Sequence, residues 1–268
     1  MNVQSHVAIS TDGVPIHYDV QGTGATALVF VHGWCCNRRC WDRQVAHFAS
    51  YYTVVCIDVG GHGASGRDRT RWTVPAFGQD IVAVVAQQGL EQVVLIGHSM
   101  GGSWIVEAAR HLPSAVIGVV GVDTWPNTEQ SPTPAQVAEM LSPFRTNFVE
   151  AMRAFVRTLF VPTSDPALVE HVVATMSAAP PPVAIGAREA VLGNVPALQA
   201  GFREIKAPKI LIYAENWRPP NMAAMQRYGI EVVPMSGVGH FVMMEDPQIF
   251  NRLLDEAVQQ CIHRRTQQ

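Results

Sequence analysis

Short runs of apolar, mostly β-branched residues alternate along the first half of the chain with segments whose apolar positions recur every third or fourth residue. Those two periods belong to buried strands and amphipathic helices. HVAIS and VPIHYDV flank Asp12 and Gly13, and so predict an antiparallel hairpin closed by an Asp-Gly turn. TALVFVHG, YTVVCIDV, QVVLIG and AVIGVVGVD predict buried strands. Between them, helices are predicted from about Trp41 to Ser50, Val74 to Gln88 and Met100 to His111. The alternation argues for an α/β fold class, with a mainly parallel central sheet and helices on both faces.

The rhythm breaks after Asp123. TWPNTEQSPTP is rich in Pro and turn formers. The stretch that follows shows only helical patterns, among them FVEAMRAFVRTLF and PALVEHVVATM, interrupted by Pro180, Pro181 and Pro182. Sheet signals resume with APKILIYA and IEVVPMSG, and a closing helix is predicted from about Pro247 to Gln260. An insertion of roughly 70–85 residues is too long for a plain loop. The predicted organisation is a core of residues 1–123 and 209–268 carrying an all-helical cap over residues 124–208.

Composition changes this picture little. A chain of 268 residues with 48% hydrophobic content suits one sizeable domain with an insertion. Net charge is −3 with 15% charged residues and no basic stripe, so no nucleic-acid partner is expected. No apolar run approaches the roughly 20 residues needed to span a bilayer, so no membrane partner is expected either. MNVQSHVAIS lacks a basic n-region and an apolar core, which argues against a secretory signal. The five cysteines then read as reduced thiols of a cytoplasmic protein. Arg264 and Arg265, the one notable basic cluster, read as a frayed, solvated end.

The chemistry-bearing signal is GHSMGG, which follows the strand QVVLIG and opens a predicted helix. This is G-x-S-x-G in strand–turn–helix context, with Gly97, Ser99 and Gly101. The turn is tight enough to strain the serine backbone and to exclude side chains at the flanking positions. It lifts the Ser99 hydroxyl out at the carboxyl end of the sheet. The amide of Met100 then sits at a helix N-terminus, where developing negative charge is stabilised. A second donor is expected from VFVHGW, where Gly33 lets the backbone of Trp34 approach. His32 in that loop reads as a structural histidine.

Ten histidines leave the base to be chosen by position. His240, in SGVGHFVMMEDP after the last strand, comes late, as a base does in the order Ser…acid…His. His47, His111, His171 and His263 lie on helical patterns. Glu245 and Asp246 read as the start of the last helix, where acids suit the dipole.

HGW, the DVGGHGASG loop, GHSMGG and GVGHFVMMEDP together resemble the α/β-hydrolase superfamily, in its esterase/lipase-like branch with a helical cap. The resemblance implies a serine hydrolase acting on carboxylic esters through an acyl-enzyme, with Ser99 as nucleophile, His240 as base and no cofactor. Asp58 and His62 look structural. The family usually carries its acid just after the strand that follows the cap, and here that position is Trp217, in Ala214-Glu215-Asn216-Trp217. Asp123, at the end of the strand before the cap, takes the acid role in this reading, with Glu215 as the alternative. Both strand ends border the same crevice.

HGWC also resembles the cofactor-free quinolone dioxygenases of this fold, and other members are slow-turnover receptors; both stand as alternatives. The cluster Cys35, Cys36 and Cys40 lacks the paired spacing of a zinc site, so no metal is expected. It reads as pocket-lining or loop-packing thiols, through which thiol reagents would block the pocket. Trp125, Met140, Phe144, Phe148, Met152, Phe155, Phe160 and Met176 suggest an apolar roof. The lack of a fixed Arg or Lys near the motifs argues against a highly charged substrate. A small to medium, uncharged ester is the expected small-molecule substrate.

Overall fold

The computed structural model describes residues 3–125, 129–215, 217 and 219–266. Parts of the stretch after Asp123 (126–128), Asn216 and Arg218, with the first two and last two residues of the chain, lie outside the described residues.

The predicted hairpin forms from β1 (Gln4–Ile9) and β2 (Pro15–Gln21), paired antiparallel around a turn in which Gly13 has φ +86°. The buried runs become β3 (Ala27–Val31), β4 (Thr53–Ile57), β5 (Val93–His98) and β6 (Val116–Val122). β7 (Lys209–Ala214) and β8 (Ile230–Met235) complete one eight-stranded sheet in the order β1-β2-β4-β3-β5-β6-β7-β8. β2 pairs antiparallel with β4, and from β4 onward all pairing is parallel. The central strands β3, β5 and β6 are buried at every position, which is why they read as unbroken apolar runs. Each fully buried Val or Leu there contributes roughly 1.5–3 kcal/mol of transfer free energy.

Helices α1 (Asp42–Phe48), α2 (Val74–Gln87) and α3 (Gly101–His111) fall where periodicity predicts them. α1 is entered through a 3₁₀ turn at Arg38–Trp41, capped by the Asn37 side chain. Residues 134–204 hold α4 (Pro134–Thr146), α5 (Phe148–Arg157), α6 (Pro166–Ser177), α7 (Pro181–Leu192) and α8 (Val195–Glu204). Proline stands in the first turn of α4, α6, α7 and α8, where its missing N–H costs nothing. The triple proline thus starts α7. α8 lies on α3, where Gly201 faces Val106 and Arg110 reaches Glu204 at 2.7 Å.

Two short helices escape the sequence reading, α9 (Met222–Arg227) and α10 (Val242–Glu245). The closing helix α11 spans Pro247–Thr266. Arg264 and Arg265 are not frayed: they occupy its last turn, and Arg264 lies 3.4 Å from Glu231. Among the described residues no helix is long and apolar enough to cross a membrane.

Candidate active site

Parallel strands deliver their carboxyl ends to one edge of a sheet, and the loops leaving that edge converge. Here those loops carry Gly33 and Trp34 after β3, Ser99 after β5, Asp123 after β6 and His240 after β8.

Ser99 adopts φ +53°, a left-handed conformation rare outside glycine. Hydrogen bonds hold it there: its N–H donates to Val122 O (2.9 Å) and its carbonyl accepts from Thr124 Oγ1 (2.6 Å). The glycines around it are required by space. A Cβ at Gly97 would stand 2.6 Å from Gly101 O, and one at Gly101 would stand 2.5 Å from His32 O. One at Gly33 would lie 3.0 Å from the Ser99 Cβ, so the β3 loop runs directly beside the serine. Among the described residues, neither the Trp34 nor the Met100 N–H donates to a protein acceptor. Both residues line the same cavity as Ser99. Met100 is the N-cap of α3, so its amide adds to a helix N-terminus.

His240 is buried, and its Nδ1 lies 2.5 Å from Asp123 Oδ2. The other oxygen, Oδ1, accepts from the Ala214 amide of β7 (2.8 Å), and the Asp123 amide donates to Ile212 O (2.8 Å). Asp123 itself sits at φ +42°. Its carboxylate is thus pinned by the neighbouring strand. Glu215 points elsewhere: it is exposed and accepts from Ser236 Oγ. Trp217 covers the imidazole, its ring centroid 4.6 Å from that of His240, while its indole N–H donates to Thr158 O (3.2 Å).

Three contributors were not legible as such in the sequence. The first is Glu245, which does not cap the last helix. Its carboxylate accepts from the Gly239 amide (3.0 and 3.1 Å), the Phe241 amide (3.2 Å) and Ser164 Oγ (2.5 Å). It therefore clamps the backbone on both sides of His240. The His240 amide is itself bonded to Leu159 O at the end of α5 (2.7 Å). Its spacing, five residues after a Gly-flanked histidine, was the only available signal. Glu245→Gln is expected to lower kcat by roughly 10²-fold with KM little changed, as loosening a positioned base by about 1 Å does. An unchanged kcat in steady-state assays, with only a lower Tm, would make Glu245 structural.

The second is His98, buried beside His240, whose Nε2–H donates to His240 O (3.0 Å). Burial first, then the neighbouring His240, holds its pKa well below the ordinary value. His32 bonds the loop backbone, its Nδ1–H donating to Gly33 O (2.8 Å) and its Nε2 accepting from the Val59 amide (3.3 Å). Burial lowers its pKa too. His62, held to Gly60 O at 3.0 Å, is pushed down to about 3 by burial and by His32. Asp58 is likewise structural, accepting from the Arg38 and Ala64 amides (2.6 and 2.9 Å) and pairing with the Arg38 guanidinium.

Burial disfavours the protonated form of all three histidines in the fold, whereas once unfolded they take up protons near pH 6.5. Each therefore contributes stability that is lost as pH falls below about 6.5, toward about 3 for His62. Urea midpoints are expected to fall steadily from pH 7 to pH 5. A flat profile would show that the three are protonated in the folded protein.

The third is Arg188 of α7. Its guanidinium lies 4.4 Å over the Trp34 ring, with Phe155 at 4.9 Å and Phe144 at 5.7 Å. The expectation that no basic side chain stands near the motifs is thereby corrected: the helical segment brings one in. Trp34 is tied to the same helix, its indole N–H donating to Ala184 O (2.7 Å).

The cavity measures about 620 Å³. Of the expected roof residues, Trp125, Met140, Phe155 and Met176 line it. Phe144, Phe148, Met152 and Phe160 pack behind that lining: Phe144 sits edge-on to Trp34, Phe160 stacks on Phe241, and Phe148 and Met152 are buried. Cys36 also lines the cavity, but burial raises its pKa to about 12, and burial pushes Cys35 and Cys40 well up as well. At neutral pH these thiols lack the thiolate form that thiol reagents attack, which corrects their reading as reactive groups.

Known proteins resemble the chain in fold and in sequence. A non-heme haloperoxidase of Rhodococcus erythropolis is 33% identical over 129 residues, covering 46% of this chain and 47% of that protein. The chain spans less than half the length of the curated relatives it matches. Among solved structures, a putative aryl esterase from Burkholderia cenocepacia superposes with TM-score 0.82 at 21% identity, covering 97% of this chain and all of the other. An N-acyl homoserine lactone degrading enzyme superposes with TM-score 0.78 at 26% identity, over 93% of this chain and 99% of that one. The sequence pattern characteristic of the alpha/beta hydrolase family runs through residues 28–253. With that match laid over this sheet and this serine turn, the chain belongs to the alpha/beta hydrolase family.

Proposed function

We propose that the protein is a carboxylic ester hydrolase that uses Ser99 as nucleophile, His240 as general base and Asp123 as the acid that orients it. The observation that carries this reading is the 2.5 Å contact between His240 Nδ1 and Asp123 Oδ2, beside a strained serine on the same cavity. With Nδ1–H committed to Asp123, the imidazole presents its Nε2 lone pair. Nε2 takes the Ser99 proton as the hydroxyl oxygen attacks the ester carbonyl. The amides of Trp34 and Met100 receive the oxyanion; each such donor lowers the barrier by a few kcal/mol. His240 then protonates the leaving alkoxide, and water activated by the same imidazole releases the acyl group.

Residues 124–208 act as a cap that supplies the apolar part of the cavity. Small to medium carboxylic esters, lactones included, fit its volume. The presence of an N-acyl homoserine lactone degrading enzyme and a putative aryl esterase among the structural relatives supports testing both classes. The test is a hydrolysis panel of aryl esters, alkyl esters and lactones with one hydroxyquinolone, together with labelling by an organophosphonate. Steady ester or lactone turnover with one phosphonate on Ser99 is the expected result. Consumption of the hydroxyquinolone alone, or a single-turnover adduct, would overturn it.

A further inference from the structure

Inside a helix, a serine hydroxyl finds its usual partner in the carbonyl four residues earlier. Ser103, in the first turn of α3, is denied that bond. The carbonyl it would reach is Ser99 O, which already accepts from Thr124 Oγ1 (2.6 Å) and from the Gly102 amide (3.0 Å). A carbonyl oxygen has two lone pairs, and both are taken. Glu107, the acid one turn further along the same helix, is engaged as well: its oxygens meet Arg110 at 2.9 Å and His111 at 3.2 Å. Among the described residues, the Ser103 hydroxyl has no hydrogen-bond partner. Ser103 is only 6% exposed, and it lines the cavity that holds Ser99 and His240. A hydroxyl so placed is a bond kept open, because buried polar groups are otherwise satisfied.

Its position relative to the chemistry follows from α3. Met100, whose amide receives the oxyanion in the mechanism above, is the N-cap of that helix, three residues before Ser103. Positions three apart on a helix are neighbours, roughly 5–6 Å between Cβ atoms. The hydroxyl therefore reaches a substrate atom two or three bonds from the scissile carbonyl. The leaving oxygen must lie against His240, which hands it a proton. The part of the substrate that passes beside Met100 and Ser103 is then the acyl chain. Trp125, Val195 and Leu198 line the same cavity and offer apolar surface to the rest of that chain. A hydroxyl both donates and accepts, so it serves a hydroxyl, keto or ether oxygen alike. It carries no charge with which to offset a buried ion.

We propose that Ser103 is a specificity-determining residue whose hydroxyl binds an uncharged oxygen on the acyl chain, two or three bonds from the scissile carbonyl, so that hydroxyacyl, oxoacyl or alkoxyacyl esters and lactones are preferred over their hydrocarbon counterparts. This deepens the ester-hydrolase reading and rests on it.

The test uses two isosteric pairs of p-nitrophenyl esters, 3-hydroxybutanoate against 3-methylbutanoate and methoxyacetate against butanoate, on the wild type and Ser103→Ala. The readout is the ratio of kcat/KM within a pair, compared between the two proteins. Intrinsic ester reactivity and any general loss of activity cancel in that comparison. In at least one pair, Ser103→Ala is expected to lower the preference for the oxygen-bearing ester by about 3- to 10-fold, the range of one neutral hydrogen bond. Unchanged ratios in both pairs overturn the proposal. The wild type gives a second arm that does not depend on the variant folding. A preference no greater than the ratio of the esters' spontaneous hydrolysis rates, in both pairs, overturns the proposal too. Calorimetric binding of ethyl 3-hydroxybutanoate against ethyl 3-methylbutanoate, in Ser99→Ala and in Ser99→Ala combined with Ser103→Ala, needs no turnover. Tighter binding of the hydroxy ester that requires Ser103 supports the site even if ester hydrolysis fails; if no ester is turned over, equal binding of the two overturns it.

Discussion

Ser99→Ala is expected to lower ester turnover by about 10⁶-fold, to the level left by binding and oxyanion stabilisation alone. The argument is geometric. Ser99 is a non-glycine residue at φ +53°, and its backbone is held by Val122 and Thr124 from the neighbouring strand and its loop. A structural serine has no need of such a conformation, which costs of order 1–3 kcal/mol. The strain points to the hydroxyl as the group being presented. Alanine keeps the strained backbone and removes only the oxygen, so folding should be unaffected while kcat collapses. Ser99→Gly should add a second signature, a gain in stability from relieving the left-handed conformation, with activity equally lost. Both are read by p-nitrophenyl ester kinetics beside thermal melts, and by intact mass after phosphonate treatment. Full activity in Ser99→Ala, or a phosphonate on another residue, would remove Ser99 from the mechanism.

Asp123→Asn is expected to lower kcat by about 10⁴-fold with little change in KM. The Ala214 amide fixes which atom of the new side chain faces which partner. That N–H donates to Oδ1 in the present structure, so an asparagine would keep its carbonyl oxygen there and turn its NH₂ toward His240. Imidazole Nδ1 must then accept, which places the ring proton on Nε2 and removes the lone pair that would take the serine proton. The geometry survives and the tautomer is wrong. Glu215→Gln should leave kcat near the wild-type value, because its carboxylate answers to Ser236. A large loss in Glu215→Gln with a mild effect in Asp123→Asn would move the acid to Glu215.

The sheet was readable because its central strands are buried on both faces and so could not carry polar residues. The serine turn was readable because Gly97 and Gly101 are demanded by sterics that act within a few residues. The Asp123–His240 pairing was reachable through a gap: Trp217 occupies the place where an acid was expected, which sent the search to the carboxylate at the end of β6 on the same edge. What stayed hidden has a common cause. Glu245 is joined to Ser164 across 81 positions of sequence, Trp34 to Ala184 across 150, and Arg188 to the Trp34 ring across a similar span. Partners that distant leave no periodicity or spacing to detect. The thiols were misread for a related reason, since a sequence shows that cysteines cluster near a motif but not how completely they are desolvated.

The bonds from Leu159 to the His240 amide and from Ala184 to the Trp34 indole constrain any exchange of the helical segment. Here the helical segment supplies a carbonyl to the loop of His240 and another to the loop of Trp34. A foreign segment grafted in place of α4–α8 would have to reproduce both carbonyls to keep these two loops where they are.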